Sequence, residues 1–319
     1  VACLKWFCLS TLQPQTTFFM PERAQSLSWQ LQTLRILLFQ VLRSSSGAIL
    51  PGFVTVSVGG GHSCALESGS GDVSCWGEGS HGQLGNGDRT SQKTPISVLG
   101  LTKSIAVSAG GLHACAVEES GEVKCWGSGN YGQLGHGGLS SRTRASLVSR
   151  LAPSIDVSAG GSHTCALERS GLVRCWGWDA FGQVGHTGAT GESQRYPVLV
   201  IGLSDCVAVS AGGLHSCAVV RNGTVWCWGW GEHGQLGNGS SPSQAEPSAV
   251  PWINDAVDVA CGHEHSCAKL SGGDITCWGQ GVQLQLQDSY DVWEKTTRRL
   301  LPLYAAVELP WSSPLGSAW

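Results

Sequence analysis

Short stretches in which apolar residues alternate with small or polar residues recur along the chain from residue 53 onward. In the second unit they read "SIAVSA", "HACAVE" and "EVKCWG", each followed by glycine or a polar turn. A period of two over five or six residues predicts short strands. The pattern therefore predicts an all-β region over residues 53–281.

These strands return at a nearly constant interval along the chain. Successive histidines lie 51, 50, 52 and 50 residues apart, and successive tryptophans lie 50, 50, 52 and 50 residues apart. Three or four short strands in a unit of this length are typical of a β-propeller blade, so five blades are predicted. The marker residues are His62, His113, His163, His215, His265, Trp76, Trp126, Trp176, Trp228 and Trp278.

The phrase "CWGEGSHGQLG" contains Gly77, Gly79 and Gly82 at the spacing of a dinucleotide-binding loop. Such a loop needs a helix that begins at its last glycine, whereas Gln-Leu-Gly-Asn-Gly follows here. Related phrases also occur in the four other units. We assign the glycines to the repeat and predict no cofactor.

Composition and charge agree with this interpretation. The 45 glycines among 319 residues and the charged fraction of 13% are typical of a β protein rich in turns. A net charge of −4 without a basic cluster argues against nucleic-acid binding, and no apolar run is long enough for a membrane span. Residues 1–52 form a non-repeat segment that could be an amphipathic helix or a signal peptide, and residues 282–319 form a non-repeat C-terminal tail.

The phrases "GGxHxxAL" and "WGxGxxGQLG", repeated at this spacing, resemble the repeat of the regulator of chromosome condensation family. The resemblance extends from residue 53 to about residue 281 and implies a propeller of seven blades. Because five units are recognisable, we expect a ring that is incomplete relative to seven. The resemblance also implies binding of other proteins and, as an alternative, guanine nucleotide exchange on a small GTPase.

Ten of the fourteen cysteines form five pairs at a spacing of 10 or 11 residues. Placing Cys115 opposite Cys125 leaves a three-residue loop that ends in Gly121, as a type I turn with a G1 bulge requires. Opposed residues of an antiparallel pair lie within disulfide range. Reduced cysteines in the blade face, or a zinc site built from His62, Cys64 and Cys75, are the alternatives. We predict no metal and these disulfides: Cys64 with Cys75, Cys115 with Cys125, Cys165 with Cys175, Cys217 with Cys227, and Cys267 with Cys277.

Residues common to all units are predicted to be structural. We expect each repeated histidine to be hydrogen-bonded and to close its Gly-Gly-x-His turn. We expect the rings that directly precede "GQ" to serve mainly in packing, with recognition of a partner as a secondary role. These rings are His81, Tyr131, Phe181 and His233.

Departures from the repeat are the candidates for function. "TVWCWGW" places three tryptophans at alternate positions, on one face of a strand if the strand stays extended through Gly229. Large aromatics where other units carry polar residues are typical of a binding hot spot, so we expect at least one to be substantially exposed. The candidate partner-binding residues are Trp178, Trp226 and Trp230, with Arg142 and Arg144 in a basic inter-blade segment.

No catalytic constellation is recognisable, so the sequence predicts a non-catalytic scaffold that binds a protein of unknown identity. Two alternatives stay open: the exchange factor, and a secreted, disulfide-stapled binding or inhibitor module. The compartment is extracellular if the cysteine pairs are oxidised, and otherwise cytoplasmic or nuclear.

Overall fold

The computed structural model describes residues 53–186 and 192–280, together with the backbone of residues 298–305. It contains five antiparallel sheets of four strands, arranged in chain order. The predicted all-β propeller with five blades is therefore confirmed. The helix or signal peptide predicted within residues 1–52 lies outside the described residues.

The strands follow one scheme in every blade. Blade 1 contains β1 (Phe53–Val58), β2 (His62–Glu67), β3 (Val73–Gly77) and β4 (Gln92–Ser97). Blade 2 contains β5 (Ser104–Ala109), β6 (His113–Glu118), β7 (Val123–Gly127) and β8 (Arg142–Leu147). Blade 3 contains β9 (Ser154–Ala159), β10 (His163–Glu168), β11 (Val173–Gly177) and β12 (Gln194–Leu199). Blade 4 contains β13 (Cys206–Ala211), β14 (His215–Val220), β15 (Val225–Gly229) and β16 (Gln244–Ala249). Blade 5 contains β17 (Ala256–Cys261), β18 (His265–Leu270), β19 (Ile275–Gln280) and β20 (Arg298–Ala305).

The fourth strand of blade 5 corrects the predicted boundary of the repeats. Strand β20 pairs with β19 in antiparallel register, with Cys277 opposite Leu303. This strand lies in the region 282–319 that was predicted as a non-repeat tail. The region lacks the glycines of the repeat but still supplies one strand. This is possible because strands pair through backbone hydrogen bonds, which do not depend on those glycines.

Neighbouring blades are joined through their first strands, which contact one another. Between blades 1 and 2, the Gly60 amide donates to the Gly110 carbonyl at 3.0 Å, and the Ala109 amide donates to Ser57 Oγ at 2.9 Å. Equivalent pairs of bonds join blades 2 and 3, 3 and 4, and 4 and 5. The regular repeat thus yields a regular inter-blade joint.

The core lies between blades. The Trp176 ring is fully buried, and its indole N–H donates to the Gln133 carbonyl of the preceding blade at 2.8 Å. Gly135 lies against this ring with φ +67°, and a Cβ there would come within 2.8 Å of Trp176 Nε1. The glycine that ends each "GQLG" phrase is therefore required by both its backbone conformation and its contact with the next blade's tryptophan.

The cysteine pairs occupy the positions that the hairpin register predicts. Cys115 lies opposite Cys125, and Gly121 closes the loop with φ +94°. All five pairs are disulfide-bonded, with Cα atoms 4.0–4.1 Å apart. Cys206 and Cys261, which lie outside the pattern, are buried free thiols.

Candidate functional site

Two kinds of loop form one end of the propeller: the turn between the first and second strands, and the segment that follows the third strand. They lie side by side, because the Trp178 amide donates to the Ser162 carbonyl and the Trp230 amide to the Leu214 carbonyl, both at 2.9 Å. We call this surface the GQ face. It comprises segments 59–61, 78–85, 110–112, 128–135, 160–162, 178–185, 212–214, 230–237 and 262–264.

A buried glutamine holds each long loop of the GQ face in place. In blade 3, Gln183 Oε1 accepts the Phe181 amide at 2.9 Å, while the Gln183 carbonyl accepts the Trp228 indole N–H of the next blade at 3.0 Å. Blades 1, 2 and 4 repeat both bonds. The ring two residues before each glutamine is therefore anchored through its backbone to the core.

Five aromatic rings from three blades contact one another in sequence across this face. The ring centroids are 5.6 Å apart from Tyr131 to Trp178, 5.9 Å from Trp178 to Phe181, 6.0 Å from Phe181 to Trp230, and 4.7 Å from Trp230 to His233. Tyr131 is 45% exposed and the other four residues are half-buried. We call these residues the aromatic row.

The tryptophans singled out from the sequence divide between two places. Trp178 and Trp230 belong to the aromatic row, whereas Trp226 packs beside Trp228 at the core and donates its indole N–H to Thr224 Oγ1 at 3.1 Å. The predicted single face fails because β15 ends at Gly229, where φ is +102°. All three candidates are half-buried, less exposed than the substantial exposure expected for at least one of them.

The two candidate arginines lie on a different element from the rings of the row. Arg142 and Arg144 are exposed on β8, the outermost strand of blade 2, where Arg142 opposes Gly127. The nearby Arg150 places its guanidinium 4.0 Å from the centre of the Tyr196 ring, which gives it a structural cation–π contact. The structure does not unite the arginines with the tryptophans.

The fixed charges on the GQ face are all negative. Its nine segments contain four carboxylates and neither lysine nor arginine. Asp179 is buried, accepts the Val184 amide and lies 3.3 Å from His186, so it serves the loop itself. The three remaining carboxylates reach the surface: Glu78, Glu232 and Glu264.

Each repeated histidine closes its own turn through its backbone, because its carbonyl accepts the amide of the glycine three residues earlier at 2.8–2.9 Å. The imidazoles of three of them bond to the next blade instead. His113 Nε2 lies 2.8 Å from Thr164 Oγ1, His163 Nε2 lies 2.9 Å from Ser216 Oγ, and His215 Nε2 lies 2.8 Å from Ser266 Oγ. His62 has no such partner, because blade 2 carries alanine at the equivalent position. Burial lowers the pKa of all five imidazoles to between about 3 and about 4.

These histidine and hydroxyl pairs have the composition of a base and a nucleophile. His163 and Ser216 are completely buried, however, so no substrate could reach them. The cluster of His215, Cys217 and Cys261 has the spacing of metal ligands, but Cys217 is bound to Cys227 and cannot act as a thiolate. Neither group forms an accessible chemical site.

Sequence reasoning missed the aromatic row as a unit. Tyr131, Phe181 and His233 share one repeat position, and Trp178 and Trp230 share the position three residues earlier. The recurrence of aromatic residues at these two repeat positions is the sequence feature that indicates the row.

The sequence matches the profile of the RCC1-like domain over residues 39–308. Among curated proteins, it is 43% identical over 54 residues to the human E3 ubiquitin-protein ligase HERC2, covering 16% of this chain and 1% of that protein. It is 47% identical over 38 residues to mouse RCC1 domain-containing protein 1, covering 12% of this chain and 10% of that protein. The chain thus aligns with a small part of each.

Solved propellers resemble the structure over most of its length. Human WBSCR16 matches with a TM-score of 0.70 at 21% identity, covering 80% of this chain and 67% of that chain. Yeast RCC1 (Prp20), solved with Kap60, matches with a TM-score of 0.68 at 21% identity, covering 86% of this chain and 67% of that chain. Prp20p from Saccharomyces cerevisiae, described with its binding to Gsp1p and histones, matches with a TM-score of 0.69 at 20% identity. The match covers 86% of this chain and 69% of that chain. At such identities the likeness establishes the fold.

Proposed function

The chain belongs to the RCC1-like domain family, and on that premise we propose that it is a non-catalytic platform that binds another protein through the aromatic row. The observation that carries the proposal is the contact of five partly exposed rings across three blades. Rings held by their neighbours bury a large apolar area with little loss of conformational freedom.

The comparisons support a protein partner in general and leave its identity open. Prp20 is a neighbour described with the proteins Kap60, Gsp1p and histones. Guanine nucleotide exchange on a small GTPase remains the alternative, and nucleotide-release assays with candidate GTPases test it. Among the described residues, no helix has the length and hydrophobicity that a membrane crossing requires.

We expect Trp178→Ala and Trp230→Ala each to weaken partner binding by about 2 kcal/mol, because both rings occupy the centre of the row. The measurement is quantitative affinity capture with wild-type protein as bait, followed by titration calorimetry with the captured partner. Each substitution removes a half-buried ring that lies outside the buried core clusters, so the thermal midpoint of unfolding should fall by only a few degrees.

Trp252→Ala is the matched control. Trp252 is 79% exposed, more than any ring of the row, and lies in a turn after β16, away from the GQ face. This variant should bind the partner like the wild type. Equal losses in all three variants would show that binding follows exposed tryptophan in general, and no loss in any would refute the proposed surface.

The five disulfides favour a second candidate, a secreted binding module, because disulfides persist in oxidising compartments. The module would use the same aromatic row. Its partner would then be an extracellular protein.

If the chain passes through the secretory pathway, we expect an N-linked glycan at Asn222. This residue begins the sequon Asn222-Gly223-Thr224 in an exposed hairpin loop, at the end of blade 4 opposite the GQ face. Expression behind a secretory signal should give a mass that falls on glycosidase treatment. The fall in mass should persist in Asn238→Gln, which removes the second sequon. In Asn222→Gln, the part of the fall that comes from a glycan at residue 222 should be lost. An unglycosylated Asn222 in secreted wild-type protein would contradict the prediction.

A further inference from the structure

We propose that the segment bound by the aromatic row is positively charged and places arginine or lysine side chains on the rings of Trp178 and Trp230. The inference rests on the proposed function, because it specifies the chemistry of a partner at the same surface. Charge and aromatic geometry support it separately.

The first support is the negative charge at the His233 end of the row and in blade 1. Glu264 of blade 5 lies 3.8 Å from His233, the last ring, with its side chain 22% exposed. Glu78 occupies in blade 1 the position that Trp178 occupies in blade 3, and its side chain is 44% exposed. Glu232, next to His233, is also exposed. A cationic segment laid along the row would meet Glu232 and Glu264 at the His233 end, and Glu78 lies one blade beyond the Tyr131 end.

The second support is that the nine segments of the GQ face themselves carry carboxylates and no lysine or arginine. The exposed Arg195 of β12 lies against Gly132, next to Tyr131, at the end of the row opposite Glu232 and Glu264. An acidic or neutral partner would desolvate the carboxylates without compensation, whereas a basic partner would pair with them.

The third support is the rings themselves. Cations bind most strongly over the face of tryptophan, and arginine does so more often than lysine. Trp178 and Trp230 are each held between two neighbouring rings of the row, which keeps them in place before the partner arrives. The four ring-to-ring steps of 4.7–6.0 Å give the row a path no longer than roughly seven extended residues at about 3.3 Å per residue. An extended basic segment therefore fits the row in charge, chemistry and length.

The experiment uses fluorescein-labelled peptides in which leucine alternates with arginine, glutamine or glutamate, and fluorescence anisotropy with the full chain. We expect the arginine peptide to bind at least about tenfold more tightly than the glutamine peptide, and the glutamate peptide to bind weakest. The preference for arginine should shrink as salt is raised, since these carboxylates are partly exposed.

Variants locate the site. Trp230→Ala should weaken binding of the arginine peptide by roughly tenfold or more. Glu264→Gln should weaken it by about threefold and leave the glutamine peptide unaffected. Glu119→Gln is the matched control, because Glu119 is an exposed carboxylate in the hairpin loop at the opposite end of blade 2. This control should bind all three peptides like the wild type.

The outcomes separate this inference from the proposed function. If the glutamine peptide binds as tightly as the arginine peptide and both lose affinity in Trp230→Ala, the row is a docking surface and the cationic partner is wrong. If the arginine peptide does not bind, or binds equally to wild type, Trp230→Ala and Glu264→Gln, the inference is overturned. Failure of the proposed function itself shows in the partner capture with Trp178→Ala and Trp230→Ala.

Discussion

Acidification from pH 7 to pH 5 is expected to destabilise this protein strongly, because the five repeated histidines are buried as neutral imidazoles. Burial lowers their folded-state pKa from 6.5 to about 4 for His62, His163 and His265, and to about 3 for His113 and His215. A group whose pKa is lower in the folded state stabilises the fold above its unfolded pKa, and the stabilisation is lost as the pH falls.

The pH window follows from these values. Loss begins near pH 6.5, where the unfolded chain takes up protons, and continues down to the folded pKa values of about 4 and about 3. At pH 5 each such histidine costs about 2 kcal/mol. Five such contributions amount to about 10 kcal/mol, which lies within the roughly 5–15 kcal/mol by which native domains are stable. The measurement is the free energy of unfolding in urea at several pH values.

His113→Gln tests the origin of the effect. Glutamine can keep a hydrogen bond to Thr164 but cannot take up a proton, so the variant should lose about 2 kcal/mol less than the wild type between pH 7 and pH 5. His81→Gln is the control, because the His81 side chain is 40% exposed and can be hydrated when charged. An unfolding free energy that stays constant from pH 7 to pH 5 would disprove buried neutral histidines.

The strand pairing and the cysteine positions could be predicted from sequence because they depend on local chemistry. A hairpin register is decided by its loop, and Gly121 with the pair Cys115 and Cys125 supplies two independent signals for one register. The buried Trp176 could likewise be predicted, since a large apolar residue repeated in every unit requires a repeated apolar environment.

The features that could not be predicted depend on contacts between blades. The hydroxyl partner of His113 is Thr164, 51 residues away, and no local pattern connects the two. The chain direction after β15 depends on φ +102° at Gly229, a conformation that strand periodicity does not reveal. That one backbone angle separates Trp226 from Trp230 and places Trp230 beside Phe181 of the preceding blade.

Full reduction of the protein is expected to prevent refolding. Each disulfide closes a loop of 10 or 11 residues and so stabilises the fold by about 2–3 kcal/mol in the loop-entropy model. The five loops lie in separate hairpins and share no residues, so their contributions should be nearly additive. Their sum is then comparable with the whole free energy of folding of a typical domain.

The double variant Cys165→Ala/Cys175→Ala isolates one bridge. Both sulfurs are completely buried, so the variant should lose about 2–3 kcal/mol of unfolding free energy, plus a smaller amount for the cavity left by the sulfur atoms. Urea titration at pH 7 without reductant measures the loss. Alkylation of the wild type in denaturant without reductant should label Cys206 and Cys261 and leave the ten paired cysteines unlabelled.

Cys261→Ala provides the matched control for this variant. Cys261 is a buried free thiol at the repeat position that holds Ala109, Ala159 and Ala211 in blades 2, 3 and 4, so alanine is accommodated there by the fold. Its replacement should change the unfolding free energy by less than about 1 kcal/mol, because it removes one buried sulfur and no cross-link. If reductant leaves the unfolding curve of the wild type unchanged and all ten paired cysteines become alkylated, the cysteines act as buried small residues. The argument for an extracellular binding module would then fail, while the aromatic row on the GQ face would remain.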